Sequence, residues 1–172
     1  YGHKMTLEAA GISHVDIDRL NWMDADIRAL VPEADTMIII AGAAPGRPRK
    51  RWPAENFRDL CAKAYAAYGW HALLLGTQEE AAILSDIASD CEYIHNLCAR
   101  TGIEAIAALA RGASFAVGND TGPMHIIAAT GCPCLTLFDK QESNPTRHRP
   151  LGDNAIYHAS EDLQALKPED VF

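Results

Sequence analysis

The sequence predicts an α/β protein: a parallel sheet with helices on both faces and right-handed crossovers, a Rossmann-like architecture. Three observations lead there. Thr36 to Ala41, TMIIIA, is a continuous, largely β-branched run of the kind that forms a parallel strand covered on both faces. Further short apolar runs alternate with helical spacers of roughly 10 to 15 residues, the βαβα order of a parallel sheet. Chemistry-bearing residues fall in the turns that follow these runs, at the carboxyl edge where such sheets bind ligands. At 172 residues, 48% hydrophobic and 22% charged, the chain suffices for one core and is short for two.

Residues 1–35 are weakly patterned and predict a linker or edge segment ahead of a domain over 36–172, with short helices around Thr6 to Ala10 and from Asp24 to Leu30. Asp24-Ala25-Asp26 has a spacing that can hold a divalent metal on a diphosphate. Just ahead of Ile27 and Leu30, these acids read instead as helix N-cap and first-turn charges. The first strand, Thr36 to Ala41, empties into a Gly/Pro loop, Gly42 to Pro53, that carries four of the fifteen Lys and Arg residues. In a chain of net charge −8 that concentration at a strand's carboxyl end, next to a helix start at Pro53, marks an anion site. The loop has neither the G-x-x-x-x-G-K-[ST] nor the G-x-G-x-x-G pattern, which disfavours a P-loop kinase or a dinucleotide enzyme.

Ala54 to Tyr68 carries an apolar stripe (Phe57, Leu60, Cys61, Ala64, Tyr68) and stops at Gly69, predicting a helix. Trp70 to Leu75 reads as a strand ending in the turn Gly76-Thr77-Gln78, with a helix following to about Ser89. Tyr93 to Leu97 is a short strand and Gly102 to Ala110 a helix, with Cys98 to Thr101 between them at the ligand edge. Phe115 to Val117 is the next strand, closed by Gly118-Asn119-Asp120. Asp120 or Thr121 can cap a helix that has Pro123 in its first turn and stops at Gly131 and Pro133. A helix start there presents unpaired N–H groups and a positive dipole end to an anion, phosphate being the natural guest. Thr121 and His125, four apart, share one face of its first turn. Leu135 to Phe138 and Ala155 to His158 complete the strands, the last at an edge, followed by a broken helical segment.

The string Asp120-Thr121-Gly122-Pro123-Met124-His125 resembles the D-[ST]-G-x-x-H signature of the bacterial heptosyltransferases, glycosyltransferase family 9. The strand, Gly/Pro loop and Lys50-Arg51-Trp52-Pro53 before an amphipathic helix resemble the same domain. The resemblance covers Thr36 to the end. It implies the C-terminal, donor-binding half of a GT-B type enzyme that is inverting and metal-independent and takes an ADP-sugar such as ADP-heptose in lipopolysaccharide biosynthesis.

By the same resemblance Lys50 contacts the donor diphosphate, and Asp120, Thr121, Gly122 and His125 belong to the same donor-binding site. Lys50 and His125 are then the catalytic residues that stabilise the leaving group. Gln78 stands where the family holds the ribose, often with Glu, and Glu79 is its neighbouring substitute. Asp139 to Pro150 departs from the family's G-P-T-D-P, in a loop placed to meet the sugar. The acceptor, lipopolysaccharide core or another glycan, and the general base belong to an N-terminal half. A base within this chain would have to come from His95, Asp139 or Glu142. A nucleotide-sugar epimerase of similar build and a non-catalytic nucleotide-binding module are the alternative readings.

The acidic net charge disfavours a general nucleic-acid or membrane-surface binder. No run approaches the roughly 20 apolar residues that span a bilayer, and no signal-peptide pattern opens the chain. Five scattered cysteines without C-x-x-C spacing read as reduced residues, so a cytoplasmic protein without a structural or catalytic metal is expected. The start at Tyr1 and the close on Lys167-Pro168-Glu169-Asp170-Val171-Phe172 read as a piece of a longer protein.

Overall fold

Side chains alternate across a strand, and along Thr36–Ile40 (β1) that alternation divides the core in two. Met37 and Ile39 meet Ala54–Tyr68 (α2) and Ala81–Ala88 (α3) on one face of the sheet. Ile38 and Ile40 meet Ile103–Gly112 (α4) and Gly122–Ala129 (α5) on the other. A run apolar at every position is what a strand with two covered faces requires, and each β1 residue is buried. The computed structural model describes residues 2–14, 16–44 and 46–172. Pro45 of the Gly/Pro loop lies outside them.

The other strands are His71–Leu74 (β2), Ile94–Asn96 (β3), Phe115–Asn119 (β4), Cys134–Asp139 (β5) and Ala155–Ser160 (β6). All pair in parallel in the order β3-β2-β1-β4-β5-β6. The chain therefore builds outward from β1 to β3, returns to the other side of β1 with β4, and builds outward again. Where the direction reverses, between the carboxyl ends of β1 and β4, the crossovers leave in opposite directions and a crevice opens. Gly118 lets β4 sit closely there, because a Cβ on it would meet Ile40 Cβ at 2.6 Å and Met124 Sδ at 2.7 Å.

Helix α2 spans the expected residues and ends on Gly69 at φ 71°, a left-handed cap that glycine adopts at no steric cost. The first segment differs from expectation. A helix covers Gly2–Ala9 (α1), but no helix forms from Asp24 to Leu30. The two aspartates are the physical reason. Asp24 Oδ1 accepts from Ala25 N, and Asp26 Oδ1 from Arg28 N, local bonds that compete with a helical ladder. The acids are thus turn-formers and ion-pair partners (Asp26 with Arg28, Asp24 with Arg111) rather than helix caps. The segment is nonetheless held to the domain. Ile27, Leu30 and Val31 pack on the α4/α5 side of the core, and Arg111 donates to the carbonyls of Leu20 and Met23.

Candidate functional site

Two stretches meet at the reversal point. One is the loop after β1, which passes through a single 3₁₀ turn at Pro48–Lys50 before α2 begins. The other is the turn from β4 into α5. Asn119, fully buried, joins them. Its Oδ1 accepts from Trp52 N at 3.1 Å, and its Nδ2 donates to Ala41 O at 2.8 Å and Gly42 O at 3.3 Å. This one side chain ties the ends of both central strands to the entry of α2. Trp52, also fully buried, packs edge-on against Phe57 with centroids 4.9 Å apart and donates from Nε1 to Leu166 O. It anchors the loop, as its aromatic bulk suggests.

The basic residues of the loop do not all face a cavity as free cations. Arg49 reaches across to β5, 3.1 Å from the buried Asp139 carboxylate, and donates to Glu161 O. Arg51 donates to Ala43 O, and Arg47 approaches Glu142 at 3.6 Å. Lys50 turns into the crevice, with Nζ 2.6 Å from Asp120 Oδ2 and side chains only 14% and 8% exposed. Clustered positive charge was the sequence signal. In the fold Arg47, Arg49 and Arg51 each have a partner within the protein, one of them the buried Asp139.

On the α5 side, Thr121 is the residue before the helix. It does not cap it through its side chain, because Oγ1 donates instead to Asn119 O at 3.3 Å. Gly122, the first helical residue, presents an N–H with no earlier carbonyl inside the helix, and Pro123 has none to present. His125 stands one turn further on. Partial burial lowers its pKa below the ordinary imidazole value; the Asp120 carboxylate opposes that shift, and His148 adds to it.

Two cavities open on either side of this turn and share Asp120, Thr121 and Gly122. The first, about 540 Å³, is walled by Ala43 and Ala44 after β1, Gly76 to Glu80 after β2, and Ala99 and Thr101 after β3. Gln78 lines it, exposed on the 3₁₀ turn Gln78–Glu80, and Glu79 lies beside it. Glu80, which the sequence reading did not single out, is held deeper. Its Oε2 accepts from Thr77 N at 2.7 Å, and a Cβ on Gly42 would fall 1.5 Å from its Oε1. The glycine after β1 is what admits that carboxylate. The second cavity, about 550 Å³, is polar and carries Lys50, His125, Arg47, Arg147 and His148.

The remaining candidates lie elsewhere or are engaged. Asp139 is buried against Arg49, Glu142 is paired with Arg47 on the wall of the second cavity, and His95 is on β3, its Nε2 2.9 Å from His71 Nδ1. Among the described residues no group of three His, Cys, Asp or Glu side chains could hold a metal ion, and no helix is long and apolar enough to cross a membrane. The five cysteines are free; burial pushes the Cys61 and Cys132 thiols up to about 12 and Cys134 to about 11.

Residues 12–170 match the model of glycosyltransferase family 9 (heptosyltransferase). The chain is 30% identical over 124 residues to lipopolysaccharide heptosyltransferase 2 of Salmonella typhimurium, a stretch covering 67% of this chain and 35% of that protein. It is 29% identical, over the same shares of both chains, to lipooligosaccharide heptosyltransferase 2 of Haemophilus influenzae. Among solved structures, Escherichia coli ADP-heptose lps heptosyltransferase II superposes with a TM-score of 0.73 at 25% identity, over 92% of this chain and 50% of that one. The chain thus matches about a third of the length of these curated relatives and half of that structure. UDP-GlcNAc 2-epimerase from Methanocaldococcus jannaschii, at 15% identity and a TM-score of 0.57, shares the fold alone.

Proposed function

The chain belongs to glycosyltransferase family 9, the heptosyltransferases, and on that footing we propose that it is the nucleotide-sugar-binding half of an inverting, metal-independent glycosyltransferase. The donor we propose is an ADP-sugar such as ADP-heptose, the sugar nucleotide in the name of the 25%-identical Escherichia coli ADP-heptose lps heptosyltransferase II. One observation carries the reading. Lys50, Thr121, Gly122 and His125 come from two distant stretches and line one cavity at the reversal point of the sheet, beside a second that reaches Gln78. Such a crevice holds a dinucleotide-sized guest with phosphates at the helix start and nucleoside to one side.

In this reading the acceptor hydroxyl attacks the anomeric carbon, the bond from that carbon to the diphosphate oxygen breaks, and the electron pair stays with the diphosphate. Lys50, the Gly122 N–H and His125 stand where that charge grows, and stabilising it there lowers the barrier. The acceptor, a lipopolysaccharide core or other glycan, and the base that takes its proton belong to a second unit facing this edge. In this reading the protein is cytoplasmic and meets a membrane surface through that unit.

Calorimetric titration with ADP tests the reading. Binding is expected in EDTA as well as without it. If EDTA abolished binding and Mg²⁺ or Mn²⁺ restored it, the cationic mechanism would be wrong. With ADP-heptose and a lipopolysaccharide-core acceptor, the 172-residue chain should release no ADP beyond background. Sustained, acceptor-dependent release would place the base among His95, Asp139 and Glu142.

A further inference from the structure

An anion site gains from every positive charge and loses from every negative one, yet this one places a carboxylate at its centre. Asp120 lines both cavities, stands two residues before the first helical residue, and holds Lys50 Nζ at 2.6 Å with both side chains largely shielded from water. Screening by solvent is weak there, so the carboxylate cancels most of the field that Lys50 would cast on a bound phosphate. A lysine meant only to maximise affinity would not be paired so closely.

The reaction supplies a reason for the pairing. A sugar diphosphate donor has each phosphate esterified and carries two negative charges. When the anomeric carbon–oxygen bond breaks and its electron pair stays on the diphosphate, the product gains a third near neutral pH, while the acceptor's proton leaves with the base. A site that rewarded that third charge in the ground state would hold its product longer than its donor. We infer that Asp120 is a specificity-determining residue that holds the site's preference for the third charge to about threefold, so that Lys50, the Gly122 N–H and His125 stabilise the charge as it grows without the product being retained.

Because this rests on the donor-site reading, the test uses two ligands that separate the claims: ADP, with three charges, and ADP-ribose, a diester with two. The wild-type chain should bind both with affinities within about threefold of each other. Asp120→Asn keeps an acceptor for Lys50 and removes the charge. It should tighten ADP by about tenfold or more and ADP-ribose by no more than about fivefold, since the same repulsion acts on three charges in one ligand and on two in the other. Stopped-flow dissociation should place the change in a slower ADP off-rate.

A variant that tightens both ligands equally, or neither, overturns the inference and leaves the donor site standing. If the wild-type chain binds neither ligand, the donor site itself falls and the inference with it. The wild-type comparison needs no mutant: a preference for ADP over ADP-ribose of tenfold or more overturns the inference even if Asp120→Asn fails to fold.

Discussion

The loop after β1 and the helix start after β4 were both marked as anion-binding by their residues, and they turn out to be built in opposite ways. In the loop, Arg49 and Arg51 are bonded to the protein itself, Arg47 sits by Glu142, and Trp52 is sunk into the core. At the helix start, the Gly122 N–H and the His125 ring are left facing a cavity. A Gly/Pro loop must be held before it can position one lysine, and the buried Asp139 carboxylate, the Asn119 amide and the sunken Trp52 do that holding. A helix needs no such bracing, because its own hydrogen bonds fix the direction of its first N–H groups. Positive charge in the loop therefore reports mainly on folding, and the less conspicuous polar groups at the helix start report on binding.

The hardest way to break this comparison is to remove the anchor of the loop. Trp52→Ala deletes a fully buried indole, its edge contact with Phe57 and its bond to Leu166 O. We expect a loss of about 3–5 kcal/mol in urea-induced unfolding, the range for a large aromatic core truncation. A loss below about 1 kcal/mol would mean the loop is not held as described.

Lys50→Ala comes next and separates the lysine from its neighbours. It should weaken ADP binding by about 1.5–3 kcal/mol, the range for a charge-assisted hydrogen bond. Arg49→Ala, which breaks the contact with Asp139 and lines neither cavity, should change binding by less than about 0.5 kcal/mol. Wild-type calorimetric affinity in the lysine variant, or equal losses in both, would erase the distinction between bracing and binding cations.

Much of this was legible in the residues, for identifiable reasons. TMIIIA could only be a doubly covered strand, and α2 was readable to the residue because its stripe ends on a glycine that must adopt positive φ. The D-T-G-P-M-H turn was readable because proline near the start of a helix and glycine before it leave few alternatives. What stayed hidden depends on partners distant in sequence. The bond from Asn119 to Trp52 and the pairing of Arg49 with Asp139 join positions that no local pattern connects. Residues 24–30 failed for a different reason. Two aspartates near an apolar pair fit a capped helix and an Asx turn equally well, and here the turn bonds won. Glu80 was passed over because its place depends on Gly42, which only the packing of β1 against the turn after β2 makes visible.

The smallest effect we expect belongs to His125, and it sharpens the comparison by assigning a pH response to the helix side. Its imidazole faces Asp120 and His148, with Lys50, Arg47, Arg147, Arg149 and Glu142 around the same cavity, and partial burial holds its pKa below the ordinary value near 6.5. The neutral form is thus favoured in the folded, empty protein. As pH falls below about 6.5, the unfolded chain takes up the proton first, so folding stability should decline. His95 adds to the decline, since burial and its neighbour His71 lower its pKa too. Binding should move the other way, because a phosphate beside His125 favours the charged ring. ADP-ribose is the ligand to use, having no phosphate that titrates in this range. From about pH 8 to pH 5.5 its affinity for the wild-type chain should rise about two- to fivefold, what one charge near a helix end is worth. In His125→Asn that rise should vanish and the acid-side loss of stability should shrink to the part due to His95. Should ADP-ribose bind the variant with an unchanged pH profile, the response would have to be sought among the groups around the loop, and the helix side would lose its claim to be the part of the site that answers to the ligand.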